Sequence, residues 1–314
     1  MDYFLEDPLN NNAWNESLKH LKKRADILRC IRRYFYQNGY LEVDTPVRIP
    51  APAPEAHISI FETEGWYLQS SPELCMKQLV AQGYDKIFQI CKCFRKEETG
   101  DLHLTELTLL EWYTKGHTYL DLMDQCCDMI QFTAAASDLS HCLEYGSHRV
   151  DLGSPWERIS VKEAFNAYSS MSMDQALKLD KFDEIMAFDI EPRLGTQKPC
   201  FLYDYPASRA ALARLKKNRP HLCERFELYI AGIELANGFS ELTHAQEQRH
   251  RFEREMDIRK KAGKKNTPMP EKFLKSLEKM PETAGIALGI DRLVMVFTNS
   301  LSIDRVTTFT HKDL

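Results

Sequence analysis

Three carboxylates, Glu227, Glu234 and Glu241, recur along the stretch 225–242, RFELYIAGIELANGFSEL, in a run otherwise rich in strand formers. Ala231-Gly232 reads as the turn of a hairpin, which sets Ile230 beside Ile233. In that register Glu227 opposes Ala236 and lies diagonal to Glu234 on the same face. Diagonal neighbours stand roughly 7–8 Å apart, close enough for two carboxylates to share a hydrated divalent cation. Asn237, Phe239 and Glu241 have the opposite parity, so both sets face one pocket only if the strand bulges, with Gly238 the expected place. An amphipathic hairpin with a solvated acidic face is the competing reading of this stretch taken alone.

A second group of reactive side chains lies earlier. The alternating segment 85–96 ends in Arg95-Lys96, a polar loop follows over 97–103, and a second strand over 107–113 puts Leu107, Leu109, Glu111 and Tyr113 on one side. Glu111 and Tyr113 therefore project together toward a cleft, with a buried Arg–Glu pair as the structural alternative. Ser70-Ser71-Pro72-Glu73 opens a helix that continues through Leu74, Lys77, Gln78 and Ala81 to Gly83, and Glu73 there equally suits the helix dipole. The stretch 284–298 reads strand–Gly289–Asp291–Arg292–helix, with Asp291 as the cap and Arg292 pointing back at the sheet.

The elements that must position these groups follow from spacing. Leu18, Leu21, Ala25, Leu28, Ile31 and Phe35 predict a helix over 18–38 that Gly39 ends. An extended segment, 40–46, stops at Pro46 and belongs at an edge or interface. Further helices are expected over 119–137 and after the capping box Ser160-x-x-Glu163, and a strand over 198–205. Residues 137–155 and 166–196 read as short helices and surface loops, and 260–271 as an exposed, mobile loop.

Composition narrows the class. The chain has 314 residues, 43% hydrophobic, with a net charge of −5, which argues against a broad nucleic-acid footprint. Basic runs are local, around Lys22-Lys23-Arg24, Arg32-Arg33 and Lys260-Lys261. Nine cysteines in no regular framework suit reduced thiols, and Cys91, Cys93, Cys126 and Cys127 read as packing residues rather than zinc ligands. With neither a secretory apolar segment nor a membrane-length run, a soluble cytoplasmic protein is expected.

Taken together, residues 39–46, the run Phe94-Arg95-Lys96-Glu97 through Glu111-Trp112-Tyr113, and 285–292 resemble the three signature motifs of class II aminoacyl-tRNA synthetases. The runs Asn237-Gly238-Phe239-Ser240-Glu241-Leu242 and Ser71-Pro72-Glu73 resemble the lysyl branch. The resemblance implies an α+β fold, an antiparallel sheet flanked by helices, forming one catalytic domain over 18–314 after an extension at 1–17. It implies a homodimer through 39–46. With seventeen residues before the first helix, no anticodon-binding domain, and so no tRNA anticodon binding, is expected. Ala287 stands where the synthetases usually have glycine, and its methyl would intrude on the amino-acid pocket. Both features resemble the stand-alone paralogues that ligate lysine, preferably (R)-β-lysine, onto a lysine of elongation factor P.

That resemblance assigns roles. Arg95 would bridge the α-phosphate of ATP and the substrate carboxylate, and Arg292 would meet the γ-phosphate and cover the adenine. Glu97 would accept from the adenine amino group, His103 would lie near the phosphates, and Leu107, Leu235 and Gly289 would complete the ATP site. Glu227 and Glu234 would hold Mg²⁺. Glu241, Glu111 and Tyr113 would take the lysine ammonium tail, Phe239 its stem, Glu73 with Ser71 the amino group nearer the carboxyl, and Asn237 the carboxylate, beside Ala287. The chain departs from the family at Leu107, where the adenine-stacking phenylalanine usually stands, and at Lys96 and Leu104, each usually asparagine. Losing the aromatic platform removes about 0.5–1.5 kcal/mol, so a weakened ATP site is expected. The basic runs near Lys22, Arg32 and Lys260 are expected to dock an acidic acceptor protein. A non-catalytic synthetase-like module and a truncated lysyl-tRNA synthetase with a tRNA-binding partner are the rival readings.

Overall fold

The structure is a computed structural model that describes residues 11–313 except 138, 140, 154, 311 and 312. Of the expected extension at 1–17, residues 1–10 lie outside the described residues. An eight-stranded sheet organises the chain: β1 (Leu41–Glu42), β2 (Lys86–Phe94), β3 (Glu106–Lys115), β4 (Glu157–Ser160), β5 (Cys200–Tyr203), β6 (Arg225–Ile230), β7 (Ile233–Ser240) and β8 (Thr283–Gly289). Its order is β1-β2-β3-β8-β7-β6-β5-β4. The six central strands are antiparallel, as expected, but the short edge strands β1 and β4 pair in parallel with β2 and β5.

One face of the sheet is apolar and carries the largest core. Leu110 and Trp112 of β3, Phe226 and Leu228 of β6 and Ile286 and Leu288 of β8 are all buried there. They pack with helix α1 (Asn11–Gln37) and helix α3 (Tyr119–Ala136), which supply Ile27, Ile31, Phe35, Leu122, Met123 and Ile130 to the same core. Helix α1 starts at Asn11, before the expected residue 18. Helix α6 (Ile290–Phe297) packs in the same core, while the other face is polar, bordered by α2 (Glu73–Ala81), α4 (Ala245–Lys261) and α5 (Glu271–Leu277).

Helix α4 carries no apolar stripe and was not expected. Its buried side chains include Gln248, Arg251 and Arg259, and the two arginines act as staples. Arg251 donates to the carbonyls of Ala211 and Ala213, and Arg259 to those of Glu55, Ile58 and Lys265. Lys264 adds contacts to the carbonyls of Ala56 and His57. The loop expected to be mobile over 260–271 is therefore pinned to the loop 55–58. Among the described residues no helix is long and apolar enough to cross a membrane.

Candidate active site

Register across the sheet builds the polar face in rows. The middle row runs Gln89–Glu111–Ala287–Asn237–Glu227 through β2, β3, β8, β7 and β6. The next runs Tyr113–Gly285–Phe239–Arg225, and on the other side lie Leu109 and Gly289 on β3 and β8, with Glu234 and Tyr229 on β7 and β6. Leu109 and Tyr113 stand four residues apart, about 13 Å along the strand. A cavity of about 360 Å³ lies over these rows, lined by Ser71, Glu73, Arg95, His103, Leu107, Glu111, Tyr113, Glu234, Leu235, Asn237, Phe239, Ala287, Gly289 and Arg292 among others.

The hairpin that presents the acidic residues turns at Ala231-Gly232, as expected. Both residues have positive φ, 53° and 77°, the backbone of a two-residue hairpin turn. The bulge falls between Glu234 and Ala236, at Leu235, and not at Gly238. The extra residue reverses parity, so Glu227 opposes Asn237 rather than Ala236, and Glu234 joins Asn237 and Phe239 on the cavity face. Gly238 is instead held by packing, since a side-chain carbon there would stand 2.7 Å from the Phe226 ring.

Two arginines stand at one end of the cavity. Arg292 donates to the carbonyl of Glu234 (2.8 Å) and to Nε2 of His103 (2.6 Å), so it points back at the sheet. Burial and the neighbouring Arg292 hold the His103 pKa below its ordinary value, which keeps the ring neutral and able to accept that bond. Arg95 lies 3.6 Å from Glu98, and its buried Nε has no partner within the protein. An orphaned buried guanidinium nitrogen is a donor waiting for an anion. Glu97 does not line the cavity: it is exposed and accepts from the Ser59 hydroxyl (2.9 Å), while Glu98 lines the wall.

At the other end the charge is negative. Glu111 is 1% exposed and accepts from the hydroxyls of Ser71 and Tyr113. Burial, with Glu73 beside it, pushes its pKa up to about 8. Glu241, also buried, is pushed up to about 8 by burial against the pull of Lys77, and its Oε1 has no partner. Gly285 admits this arrangement, because a carbon added there would lie 2.3 Å from the Tyr113 ring and 2.5 Å from Glu241 Oε1. Lys77, 1% exposed, pairs with both Glu73 and Glu241, and its Nζ stands 5.0 Å from the centre of the Phe239 ring. Its pKa is raised, since the two carboxylates outweigh the burial that would lower it.

Two acidic groups differ from expectation. Glu227 is held by Arg225 (2.6 Å), Tyr229 (2.6 Å) and Tyr205, so it acts on the cavity through Glu234, whose pKa rises with burial and with Glu227 nearby. Glu191, half-buried, joins them, pushed up to about 7 by burial and by Glu227 and Glu234. Asp291 caps nothing: its carboxylate accepts from the Thr108 amide (2.7 Å) and pairs with Arg24 (2.7 Å), fixing the start of α6 to β3 and α1. Lys77, Glu55 and Glu98 were missed by sequence reasoning. Lys77 did leave a signal, a charge four residues after Glu73 among Leu74, Met76 and Val80 on the buried side of a helix.

The chain matches the family model of the tRNA synthetases class II (D, K and N) over residues 9–313. It is 37% identical over 316 residues to the elongation factor P–(R)-β-lysine ligase of Pseudoalteromonas translucida, covering 95% of this chain and 98% of that protein. It is 38% identical over 315 residues to the ligase of the same name from Edwardsiella ictaluri, covering 95% and 97%, and 37% identical over 318 residues to that of Vibrio atlanticus, covering 95% and 98%. The sheet, the motif-bearing strands and the match over nearly its whole length agree: the chain belongs to the class II tRNA synthetase family of the D, K and N type.

Proposed function

We propose that this chain is an ATP-dependent, AMP-forming ligase that activates lysine or (R)-β-lysine as the acyl-adenylate and transfers it to the ε-amine of a lysine of elongation factor P. One observation carries the reading: the cavity is lined by Arg95, whose buried Nε has no partner, and by the carboxylates of Glu73 and Glu111, with the unpartnered Oε1 of Glu241 buried against the lining residue Gly285. A substrate that is anionic at one end and cationic at the other satisfies both. The names of the relatives support the acceptor and the lysine isomer.

In the first step a carboxylate oxygen of lysine attacks the α-phosphorus of ATP and pyrophosphate leaves, so the site needs placed cations rather than a protein nucleophile. Arg95 bridges the α-phosphate and the carboxylate, and Arg292, oriented by Glu234 and His103, meets the terminal phosphates. Leu107, Leu235 and Gly289 line the nucleotide end. Glu97, exposed beside Ser59, reaches the adenine only if its loop shifts. The donor set suits Mg²⁺, which spreads phosphate charge when bound: Glu234 would hold it directly, with Glu227 and Glu191 reinforcing the negative field. Glu111 and Tyr113, with Glu241 behind them beside Gly285, take the ammonium tail, Phe239 the stem, Glu73 and Ser71 the other amino group, and Asn237 the carboxylate next to Ala287. In the second step the acceptor amine attacks the acyl carbon and AMP departs.

We also infer a cytoplasmic homodimer that meets its copy along the edge strand, where Tyr36, Leu41 and Val47 are exposed beside β1. A sedimentation mass of one chain would contradict it. The test of function is the intact mass of elongation factor P after incubation with this protein, Mg²⁺-ATP and either lysine isomer. A lysyl-sized gain on one residue supports the proposal. No gain with pyrophosphate exchange still running removes the acceptor, and formation of lysyl-tRNA instead replaces the reading.

A further inference from the structure

The pocket's carboxylates outnumber its fixed cations. Glu73, Glu111 and Glu241 approach one another closely enough that Glu73 raises the pKa of both the others. Against these three stands one ammonium, Lys77, in contact with Glu73 and Glu241. Glu55, a fourth carboxylate whose pKa Glu73 also raises, is offset by Arg95, which lowers it, so this pair is left out of the count together. The neighbouring Ser71 and Tyr113 are uncharged donors to Glu111.

We propose that Lys77 is a specificity-determining residue: its buried ammonium neutralises one of three pocket carboxylates and leaves a deficit of two positive charges, which an amino acid bearing two ammonium groups fills. Three carboxylates less one lysine leave two. Lysine or β-lysine brings two ammonium groups to that deficit and turns its own carboxylate toward Arg95, so each of the three counted carboxylates has a cation. Norleucine, with the same six-carbon chain but no terminal amine, brings one and leaves a buried carboxylate uncompensated, which is the costly case. Until substrate arrives protons stand in for the missing cations, in keeping with the raised pKa values of Glu111 and Glu241. The site is thereby selective for charge number as well as for length. Lys77 is also a positioning residue, since it holds Glu73 and Glu241 together over the Phe239 ring.

The inference rests on the lysine reading of this pocket, and a charge-compensation cycle separates the two. Pyrophosphate exchange with lysine and with norleucine is measured on the full chain, on Lys77→Met, on Glu73→Gln and on the double variant. Lys77→Met leaves one carboxylate unpaired even with lysine bound, and kcat/KM for lysine falls about 100-fold. Adding Glu73→Gln returns the deficit to two, and lysine activity recovers at least tenfold over Lys77→Met alone. A double variant no better than Lys77→Met overturns the proposal, because a purely structural lysine predicts additive or worse damage. No preference for lysine over norleucine in the unsubstituted protein overturns the lysine reading itself. Should Lys77→Met fail to fold, titration calorimetry of the unsubstituted protein with lysine near pH 7, in buffers of different ionisation heat, decides. A site short of two charges releases between about one and two protons as lysine fills it. Release of none overturns the proposal.

Discussion

Gly285→Ala tests the geometry of the pocket most directly. The new methyl would start 2.3 Å from Cε1 of Tyr113 and 2.5 Å from Oε1 of Glu241, both well inside contact distance. Neither neighbour yields freely. Tyr113 is 3% exposed and its hydroxyl donates to Glu111 (3.1 Å), while Glu241 is tied to Lys77. Overpacking of this kind costs about 1–3 kcal/mol, so thermal unfolding moves down by several degrees for a domain of this size. The larger effect falls on lysine, because the methyl takes the space before the unpartnered Glu241 oxygen. Losing a hydrogen bond to a charged group costs about 1.5–3 kcal/mol, or roughly 10- to 150-fold in kcat/KM for lysine. Arg95 and Arg292 are untouched, so affinity for a non-hydrolysable ATP analogue stays within about twofold of its original value. Pyrophosphate exchange, calorimetry and a melting curve give the three readings. Lysine kinetics within threefold of the unsubstituted protein, in a variant that melts normally, would refute the placement of the ammonium at Glu241.

Leu107→Phe restores a stacking platform at the nucleotide end of the cavity, and KM for ATP should fall by about 2- to 12-fold, the kinetic equivalent of 0.5–1.5 kcal/mol. The carboxylates predict a pH dependence of stability. Glu111 and Glu241 titrate near 8 in the fold and near the ordinary carboxylate value when unfolded, so between those values the folded state binds more protons. Stability of the free protein should therefore fall as pH rises from about 5 to 8, and the gain in melting temperature on adding lysine should grow over the same window. A lysine-induced gain that is flat across it would contradict the assignment. Arg24→Met leaves Asp291 buried without its cation and should cost about 3–5 kcal/mol in denaturant unfolding.

Much of the site was legible because its geometry is local. A two-residue turn sets the hairpin register, and period-two alternation places Glu111 with Tyr113 and Asn237 with Phe239. What failed depended on partners distant in the chain. The place of the bulge, Leu235 rather than Gly238, is decided by cross-strand hydrogen bonding, to which a lone strand gives no clue. Asp291 fits the pattern of a helix cap, yet Arg24 from the first helix claims its carboxylate. Helix α4 escaped notice because arginines bonded to loop carbonyls do the work of its buried face, and arginines read as solvated. Lys77 reads as one more residue of an amphipathic helix, although its charge lies on the side that packs.

The bulge at Leu235 is what makes one site of two. Without it Glu234 would face the apolar core with Leu228 and Ala236, leaving Arg292 no carboxylate on the cavity side to orient it. Asn237 and Phe239 would still line the cavity, but the end that holds Arg292 would lose Glu234. A single extra residue in β7 thus brings the acidic residue of the nucleotide end onto the same face as the acidic residues of the amino-acid end, about 13 Å away along the strands. On the proposed reading the lysine carboxylate meets the α-phosphorus between them, over the row that holds Asn237 and Ala287. That is where a methyl at 287, on a backbone fixed by pairing to both Asn237 and Glu111, can discriminate among substrates that differ only in where the amino group is attached. Shape at this row and charge number at Lys77 are independent constraints, so substitutions at the two positions should alter substrate choice additively.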